Sequence, residues 1–405
     1  MNIKNIKSEF PIFKQRINGK PLTYFDSANS SQKPKSVINK ISNFYETEFS
    51  NVGRSVHTLA VKATNRFENT RDLVKSYLNA KYREEIIFTK SATESINLAA
   101  SSFGEKFINE GDEILLTELE HHSNYVPWHF LRKKKGAIIK FAPVNDKGEV
   151  EVNEIKKLIS NKTKIIAITH ISNVTGAIMP LKEIIDLAKK KKIAVLVDGT
   201  QGAPHLRLDM QDLDCDFYAI SCHKMYGPNG LGILYAKKKW LDELPPYQGG
   251  GGMISEVLKN DITFADTPTK FEAGTMQTAE VVAFAESIKF INDLGIENIK
   301  EHESKILEYG LEKLKKNNSV KIIGDPQNRG SVMCFTIKGI HPHDIATILD
   351  EDGVAIRAGH HCCQILHDKL GIPATARASI GVYNTKEDVD VLCNAIDNCK
   401  KVFKI

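Results

Sequence analysis

Between residues 60 and 240, short apolar runs alternate with amphipathic stretches, and this alternation constrains the fold more than any other feature of the chain. The apolar runs fall at 86–88, 113–116, 138–141, 165–168, 193–197, 217–220 and 232–236. Helix-like amphipathic stretches at 60–78, 91–109, 152–160 and 181–191 lie between them. The pattern predicts an α/β domain around a mostly parallel sheet, buried on both faces. A glycine-rich, poorly periodic segment follows, from 248–252 onward to 275. A long helical region then runs from about 278 to 316, with Leu307, Leu311 and Leu314 on one face. The rest of the chain mixes strands at 331–337, 354–357 and 377–382 with helices, as a smaller α+β domain does. No internal repeat and no low-complexity tract is present.

Composition narrows the class. A chain of 405 residues, 41% hydrophobic and 26% charged, suits a soluble globular enzyme of two or three domains. The longest aliphatic run, 193–197, is far short of the ~20 residues that span a bilayer. Residues 1–13 contain no apolar core of the kind a secretion signal needs, so the expected location is cytoplasmic. The net charge of +5 is too small an excess to imply nucleic acid, and the basic runs 132–135 and 189–192 read as solvated helix ends. Seven cysteines, an odd number without a secretion signal, point to free thiols in a reducing compartment. Cys393 and Cys399 share a helical periodicity with Val389, Leu392, Ile396 and Phe403, and are expected in the core of a C-terminal helix.

In open α/β sheets, ligands gather at the carboxyl ends of the strands. After the run 86–88 comes Thr89-Lys90-Ser91-Ala92-Thr93-Glu94, which suits either a phosphate at a helix start or an ordinary helix cap. After 193–197 come Asp198 and Gln201; the carboxylate is a structural cap or the partner of a cation. After 217–220 come Ser221-Cys222-His223-Lys224, whose lysine suits a Schiff base, an anion site or the surface. Pyridoxal phosphate needs a lysine, a carboxylate for its ring nitrogen and a phosphate cradle. Lys224, Asp198 and Thr93 supply all three. The segment Gly227-Pro228-Asn229-Gly230-Leu231-Gly232 lacks the dinucleotide spacing and precedes a strand, which excludes a nicotinamide site.

With those residues in place the chain resembles the class V aminotransferases of PLP fold type I. Within them it is similar to the group II, SufS-type cysteine desulfurases of iron–sulfur cluster assembly. The resemblance spans about residues 8 to 402. It is carried by Tyr24-Phe25-Asp26-Ser27-Ala28, Arg54 with Val56-His57-Thr58, Glu120-His121-His122-Ser123-Asn124 with Val126-Pro127-Trp128, and Ser172-Asn173-Val174-Thr175-Gly176. Val197-Asp198-Gly199-Thr200-Gln201, Ser221-Cys222-His223-Lys224 and Phe271-Glu272-Ala273-Gly274-Thr275 continue it. Arg357-Ala358-Gly359-His360-His361-Cys362 and Arg377-Ala378-Ser379 complete it. The implied architecture is a large PLP-binding α/β domain over 25–285 with a seven-stranded sheet. A small α+β domain would take 1–24 and 286–405 and carry the cysteine loop at about 357–370.

The resemblance also implies roles. Lys224 would bind the cofactor covalently and then act as the base at the substrate Cα. Asp198 would pair with the ring nitrogen, Gln201 with the ring hydroxyl, and His121 would stack on the ring and shuttle protons. Thr93, the Ala92 amide, Ser221 and His223 would hold the phosphate, with Thr275 reaching in from the partner of a homodimer with shared active sites. Arg377 would clamp the carboxylate of L-cysteine, helped by Asn173 and Arg357. Cys362 would attack the substrate sulfur, leaving alanine and a persulfide for a sulfur-acceptor protein. The preceding histidines are expected to favour its thiolate. The implied activity is that of an L-cysteine desulfurase; selenocysteine lyase and cysteine sulfinate desulfinase are the alternatives from the same pocket. A metal site at His360-His361-Cys362-Cys363 is excluded, because adjacent residues cannot wrap one tetrahedral ion.

Departures from the type are Ser91 and Ala92 in the phosphate cradle, and Gly53 where a histidine is usual. Cys363 replaces a usual alanine and Ile365 a usual proline. An extended loop would turn Cys363 away from the side that Cys362 faces.

Overall fold

The computed structural model describes residues 3–53 and 55–404, so Arg54 lies outside the described residues. Seven strands form the main sheet: β1 (Ile86–Thr89), β2 (Glu113–Thr117), β3 (Ile138–Ala142), β4 (Thr163–Thr169), β5 (Ala194–Asp198), β6 (Phe217–Ser221) and β7 (Gly232–Ala236). Their order is β1-β7-β6-β5-β4-β2-β3. The pairs among β2, β3, β4, β5 and β6 are parallel, while β7 runs antiparallel to both its neighbours. Six strands, β1 to β6, therefore end on the same edge, with β7 alone reversed.

Successive residues of one strand enter different cores, as the two-residue period of a strand requires. Ile166 and Ile168 join a core with Phe67, Val74, Ile184, Val281 and Ile288. Ile165 and Ala167 join the opposite one with Ile96, Phe103, Trp128 and Leu131. One face is thus covered by α1 (Thr58–Tyr77), α4 (Leu181–Lys190) and α5 (Thr278–Leu294), the other by α2 (Ala92–Phe107) and α3 (Val126–Lys135).

The helical region expected over 278–316 consists of two helices, α5 and α6 (Ile296–Lys315). Gly295 separates them at φ 79°, a conformation glycine takes without a Cβ clash. The glycine-rich segment contains a hairpin, Ile254–Val257 paired with Ile262–Phe264. In the C-terminal part, β8 (Val320–Ile322), β9 (Val332–Ile337), β10 (Arg357–Gly359) and β11 (Thr375–Ser379) form an antiparallel sheet ordered β8-β9-β11-β10. Helices α6, α7 (Pro342–Glu351) and α9 (Lys386–Val402) cover it, and α8 (Gln364–Leu370) follows the cysteine loop. The strand expected at 354–357 is divided: residues 354–355 pair in parallel with 23–24, and Arg357 starts β10. Cys399 is buried in the α9 core, whereas Cys393 is only half-buried at its border. Cys363, Leu366, Val382 and Tyr383 belong to the main-sheet core, so the C-terminal part is packed onto the large sheet at the cysteine loop.

Candidate active site

Parallel topology makes one edge of the main sheet a row of chain reversals, and the side chains just past each strand meet there. Thr89 leads to Ser91 and Thr93, Thr117 to His121, Thr169 to Asn173, Asp198 to Gln201, and Ser221 to Lys224. They line a cavity of about 230 Å³ together with Arg357, His361, Cys362 and Arg377 from the C-terminal part.

On the phosphate side, Ser91 caps α2 by accepting from the Glu94 N–H at 3.3 Å. The Ala92 N–H, expected to face a phosphate, instead donates to Ser221 Oγ at 2.9 Å. Thr93 Oγ1 and Ser123 Oγ are 2.7 Å apart on the wall. A Cβ on Gly232 would come within 2.3 Å of the Ser91 backbone, so this glycine lets the loop lie directly on β7. His223 Nδ1 is 3.1 Å from Ser30 Oγ, and burial, then Lys224 and Lys33, pushes its pKa down to about 4.

At the centre, Asp198 is buried and accepts from the Thr200 N–H at 3.0 Å. Burial raises its pKa, while Thr200 and the Lys224 ammonium oppose that rise. Lys224 is driven the other way, to about 8, by burial and then by Arg377. Roughly a tenth of the amine is then free at pH 7, far more than for an ordinary lysine, as a lysine that must attack an aldehyde requires. His121 accepts from the Ser123 N–H at 3.1 Å, and burial with the Lys224 charge pushes it down to about 3, so its imidazole is neutral. Gln201 Nε2 donates to the Ala28 carbonyl at 2.8 Å.

Arg357 and Arg377 are direct cross-strand partners on β10 and β11. Two guanidinium groups set opposite one another repel, so the pair is a ready anion site. Arg377 is 1% exposed, with Nη2 3.2 Å from Asp26 Oδ1, Nη1 3.1 Å from the Asn173 carbonyl, and a buried Nε without a partner. Arg357 donates through Nη1 to Asn29 Oδ1, and its Nη2 stands 3.9 Å from Cys362 Sγ.

Cys362 lines the cavity and Cys363 does not, but not because the loop is extended. His361 and Cys362 have φ of 52° and 57°, left-handed values that cost non-glycine residues roughly 1–2 kcal/mol each. The turn is held from outside. Asn173 Nδ2 donates to the His361 carbonyl at 2.8 Å and the His122 N–H to the Cys362 carbonyl at 2.7 Å. Cys363 is buried with Sγ 2.9 Å from Asn173 Oδ1, and burial raises its pKa, so it stays a thiol. The expectation that the preceding histidines supply positive charge to Cys362 fails at His361. Burial and then Arg377 push that imidazole down to about 2, leaving it neutral. The cation beside the sulfur is Arg357.

Thr275 is exposed and absent from the cavity wall of its own chain; it lines a separate groove with Gly251, Gly252 and Glu272. Glu272 is anchored by Arg71 at 2.7 Å and by the Phe88 N–H at 2.8 Å. Sequence reasoning gave no role to Glu120. Its buried carboxylate joins Thr117 Oγ1 and Asn124 Nδ2, each at 2.6 Å, to the Thr169 N–H at 3.1 Å, and burial raises its pKa to about 8. It fastens the His121 segment to the end of β4. Only its place four residues past the apolar run 113–116, inside a matching motif, hinted at it.

The residues fit pyridoxal phosphate: an amine of lowered pKa, a buried carboxylate, a wall of hydroxyls from Ser91, Thr93, Ser123 and Ser221, and a double-arginine anion site. No helix among the described residues is long and apolar enough to cross a membrane, and no cluster of three metal-ligating side chains occurs among them. The aminotransferase class-V family matches residues 23–392. A Staphylococcus epidermidis protein described as "Probable cysteine desulfurase" is 48% identical over 403 residues, covering 99% of this chain and 98% of that protein. One from Halalkalibacterium halodurans with the same description is 45% identical, covering 100% and 99%. Among solved structures, the cysteine desulfurase CsdA of Escherichia coli superposes with a TM-score of 0.92 at 36% identity, covering 99% of each chain.

Proposed function

The chain belongs to the class-V aminotransferase family and, within it, to the cysteine desulfurases, and from that premise we propose that it converts L-cysteine to L-alanine with transfer of sulfur to Cys362. The observation that carries the reading is one cavity wall shared by Lys224, Asp198, the Arg357–Arg377 pair and Cys362. When bound through Lys224, pyridoxal phosphate supplies an electron sink for the substrate's α-carbon. With the group bound, Asp198 would hold the ring nitrogen's proton, Gln201 would serve the ring hydroxyl, and His121 would pack on the ring. Ser221, Thr93 and His223 would hold the phosphate, with the Ala92 N–H engaged by Ser221 Oγ. Arg377, steadied by Asp26 and the Asn173 carbonyl, takes the substrate carboxylate. Lys224, as a free amine, would move the proton at Cα. Arg357 stabilises Cys362 as the thiolate that attacks the substrate sulfur. The balance is L-cysteine plus the Cys362 thiol giving L-alanine plus the Cys362 persulfide.

A persulfide is useful only when collected, so the reading includes a sulfur-acceptor protein of the iron–sulfur assembly type. It also includes a homodimer in which Thr275 completes the partner's phosphate site. The exposed position of Thr275, outside its own cavity, supports that arrangement. So does the hairpin that leaves Val257, Leu258, Ile262 and Phe264 exposed nearby in sequence. The test is mass spectrometry after one equivalent of L-cysteine. Wild type should release alanine and gain one sulfur on Cys362, and Cys362→Ser should bind cysteine yet do neither. Alanine release by Cys362→Ser, or sulfur found on another residue, would overturn the assignment.

A further inference from the structure

The turn that carries Lys224 is wrapped by a segment from near the start of the chain. Residues 222–224 follow β6, and residues 30–33 lie against them, with Lys33 190 residues from His223 in sequence. The His223 carbonyl accepts from the Ser31 N–H at 3.1 Å, the Ser31 hydroxyl at 3.0 Å and Lys33 Nζ at 2.7 Å. Ser31 Oγ in turn accepts the Tyr226 N–H at 2.7 Å, where the backbone is left-handed at φ 62°. Ser30 is fixed through its own backbone. Its carbonyl takes the Tyr24 hydroxyl at 2.7 Å, and its N–H donates to the Asp26 carbonyl at 3.2 Å. These contacts hold Ser30 Oγ at 3.1 Å from His223 Nδ1.

One proton decides what that contact does. Burial, then the charges of Lys224 and Lys33, pushes the His223 pKa down to about 4, so the ring is neutral and a single nitrogen carries hydrogen. Which nitrogen it is depends on the partner of the other. Ser30 has one hydroxyl proton to give. Its nearest acceptor is Nδ1 at 3.1 Å; the His223 carbonyl is at 3.4 Å and Lys33 Nζ at 3.5 Å. The carbonyl has two lone pairs and already meets three shorter donors, so it has no place for a fourth. The Ser30 proton therefore points at Nδ1, and His223 carries its own on Nε2. That nitrogen takes no hydrogen bond among the described residues, and His223 lines the cavity beside Ser91, Thr93 and Ser221.

We propose that Ser30 is a positioning residue for the cofactor phosphate: by donating to Nδ1 it holds His223 in the tautomer whose Nε2–H is offered to the cavity. A phosphate dianion only accepts. The Nε2–H form adds a charge-assisted hydrogen bond to it, whereas the Nδ1–H form sets a lone pair against the anion. Because the ring is neutral, its grip depends on the tautomer and not on charge. Ser30 is absent from the cavity wall, so its influence passes through the ring.

The inference rests on pyridoxal phosphate being the cofactor, and its test follows uptake by the cofactor-free protein, not turnover. Ser30→Ala should weaken binding of pyridoxal phosphate about tenfold, the order of one hydrogen bond to a charged group. Binding of pyridoxal, the same aldehyde without the phosphate, should be unchanged. Ser30→Thr, which keeps the hydroxyl, should restore the affinity. In a His223→Ala protein the further change Ser30→Ala should add nothing, since the group it acts through is gone. In the wild type, nitrogen NMR of histidine-labelled protein near neutral pH should show His223 as Nε2–H, its signal identified by its loss in His223→Ala. The Nδ1–H form there would overturn the proposal, even should Ser30→Ala fail to fold. So would unchanged affinity for pyridoxal phosphate in a folded Ser30→Ala protein. An equal loss for both aldehydes would also overturn it, because Ser30 would then only shape the Lys224 turn. A wild type that takes up no pyridoxal phosphate would refute the cofactor reading instead, with the His223 tautomer still readable.

Discussion

The main-sheet edge and the cysteine turn face each other across one cavity, yet they are built in opposite ways. On the edge, Lys224, Asp198 and Ser221 lie at or within three residues of a strand end, so the strand that buries its apolar residues also delivers them. In the turn, His361 and Cys362 adopt left-handed backbone that their own sequence disfavours. That conformation is fixed by Asn173, His122 and Thr375, the first of them 188 residues away. The edge is locally encoded and the turn is held by remote partners. Changes on the edge should therefore remove chemistry and leave the fold, whereas changes around the turn should retune the sulfur's reactivity by smaller factors.

The largest effect is expected at Lys224. Lys224→Ala should abolish turnover, since loss of a general base alone costs about 10²–10⁴-fold, and the yellow colour of the holoenzyme should vanish. With its amine at about 8 through burial, loading of the cofactor-free protein should speed up with pH as the ammonium deprotonates, then level off above that value. Loading that still accelerates well beyond it would show an ordinary exposed lysine. Asp198→Asn should keep the fold and cofactor but lower turnover by about 10²–10³-fold, the usual cost of removing one preorganised electrostatic partner. Near-normal kcat would sink the ring-nitrogen role.

Across the cavity, Arg357→Gln should slow Cys362 alkylation at neutral pH by about tenfold, the order expected from losing one charge-assisted contact, with little change in melting temperature. An equal loss at high pH would mean the guanidinium shapes the turn and does not serve the thiolate. The smallest effect is expected at Cys363. Cys363→Ala should cost about 0.5–1.5 kcal/mol of stability through the lost bond to Asn173, while persulfide still forms on Cys362. A loss of persulfide in that variant would place Cys363 on the reaction path and erase the distinction between the two thiols.

How far the sequence could be read follows the same division. The seven apolar runs became the seven strands of the main sheet, because a strand buried on both faces needs little besides its own side chains and two neighbours. The pairing of a strand-end carboxylate with a strand-end lysine followed from the same local rule. The helical region over 278–316 was legible, but not its division at Gly295, where one residue of permitted positive φ ends one helix and starts another. The histidines before Cys362 were read as charged, because no local pattern reveals that Arg377 and burial keep His361 neutral. Thr375 carries no signal of its own, and Glu120 only its place in a matching motif, since each matters only for the groups brought to it from elsewhere.

By itself, then, the chain's order of apolar and polar residues determined which strands form, that they make a mostly parallel sheet, and which reactive groups stand at its strand ends. Tertiary packing alone decided that Arg357 and Arg377 face each other, that the cation beside Cys362 is Arg357, and that Thr375 joins His361 to His367. The physical reason is range. Hydrophobic periodicity and strand–turn geometry act over a few residues, whereas tautomers, charge states and left-handed turns are set by partners that only the folded chain brings within hydrogen-bonding distance.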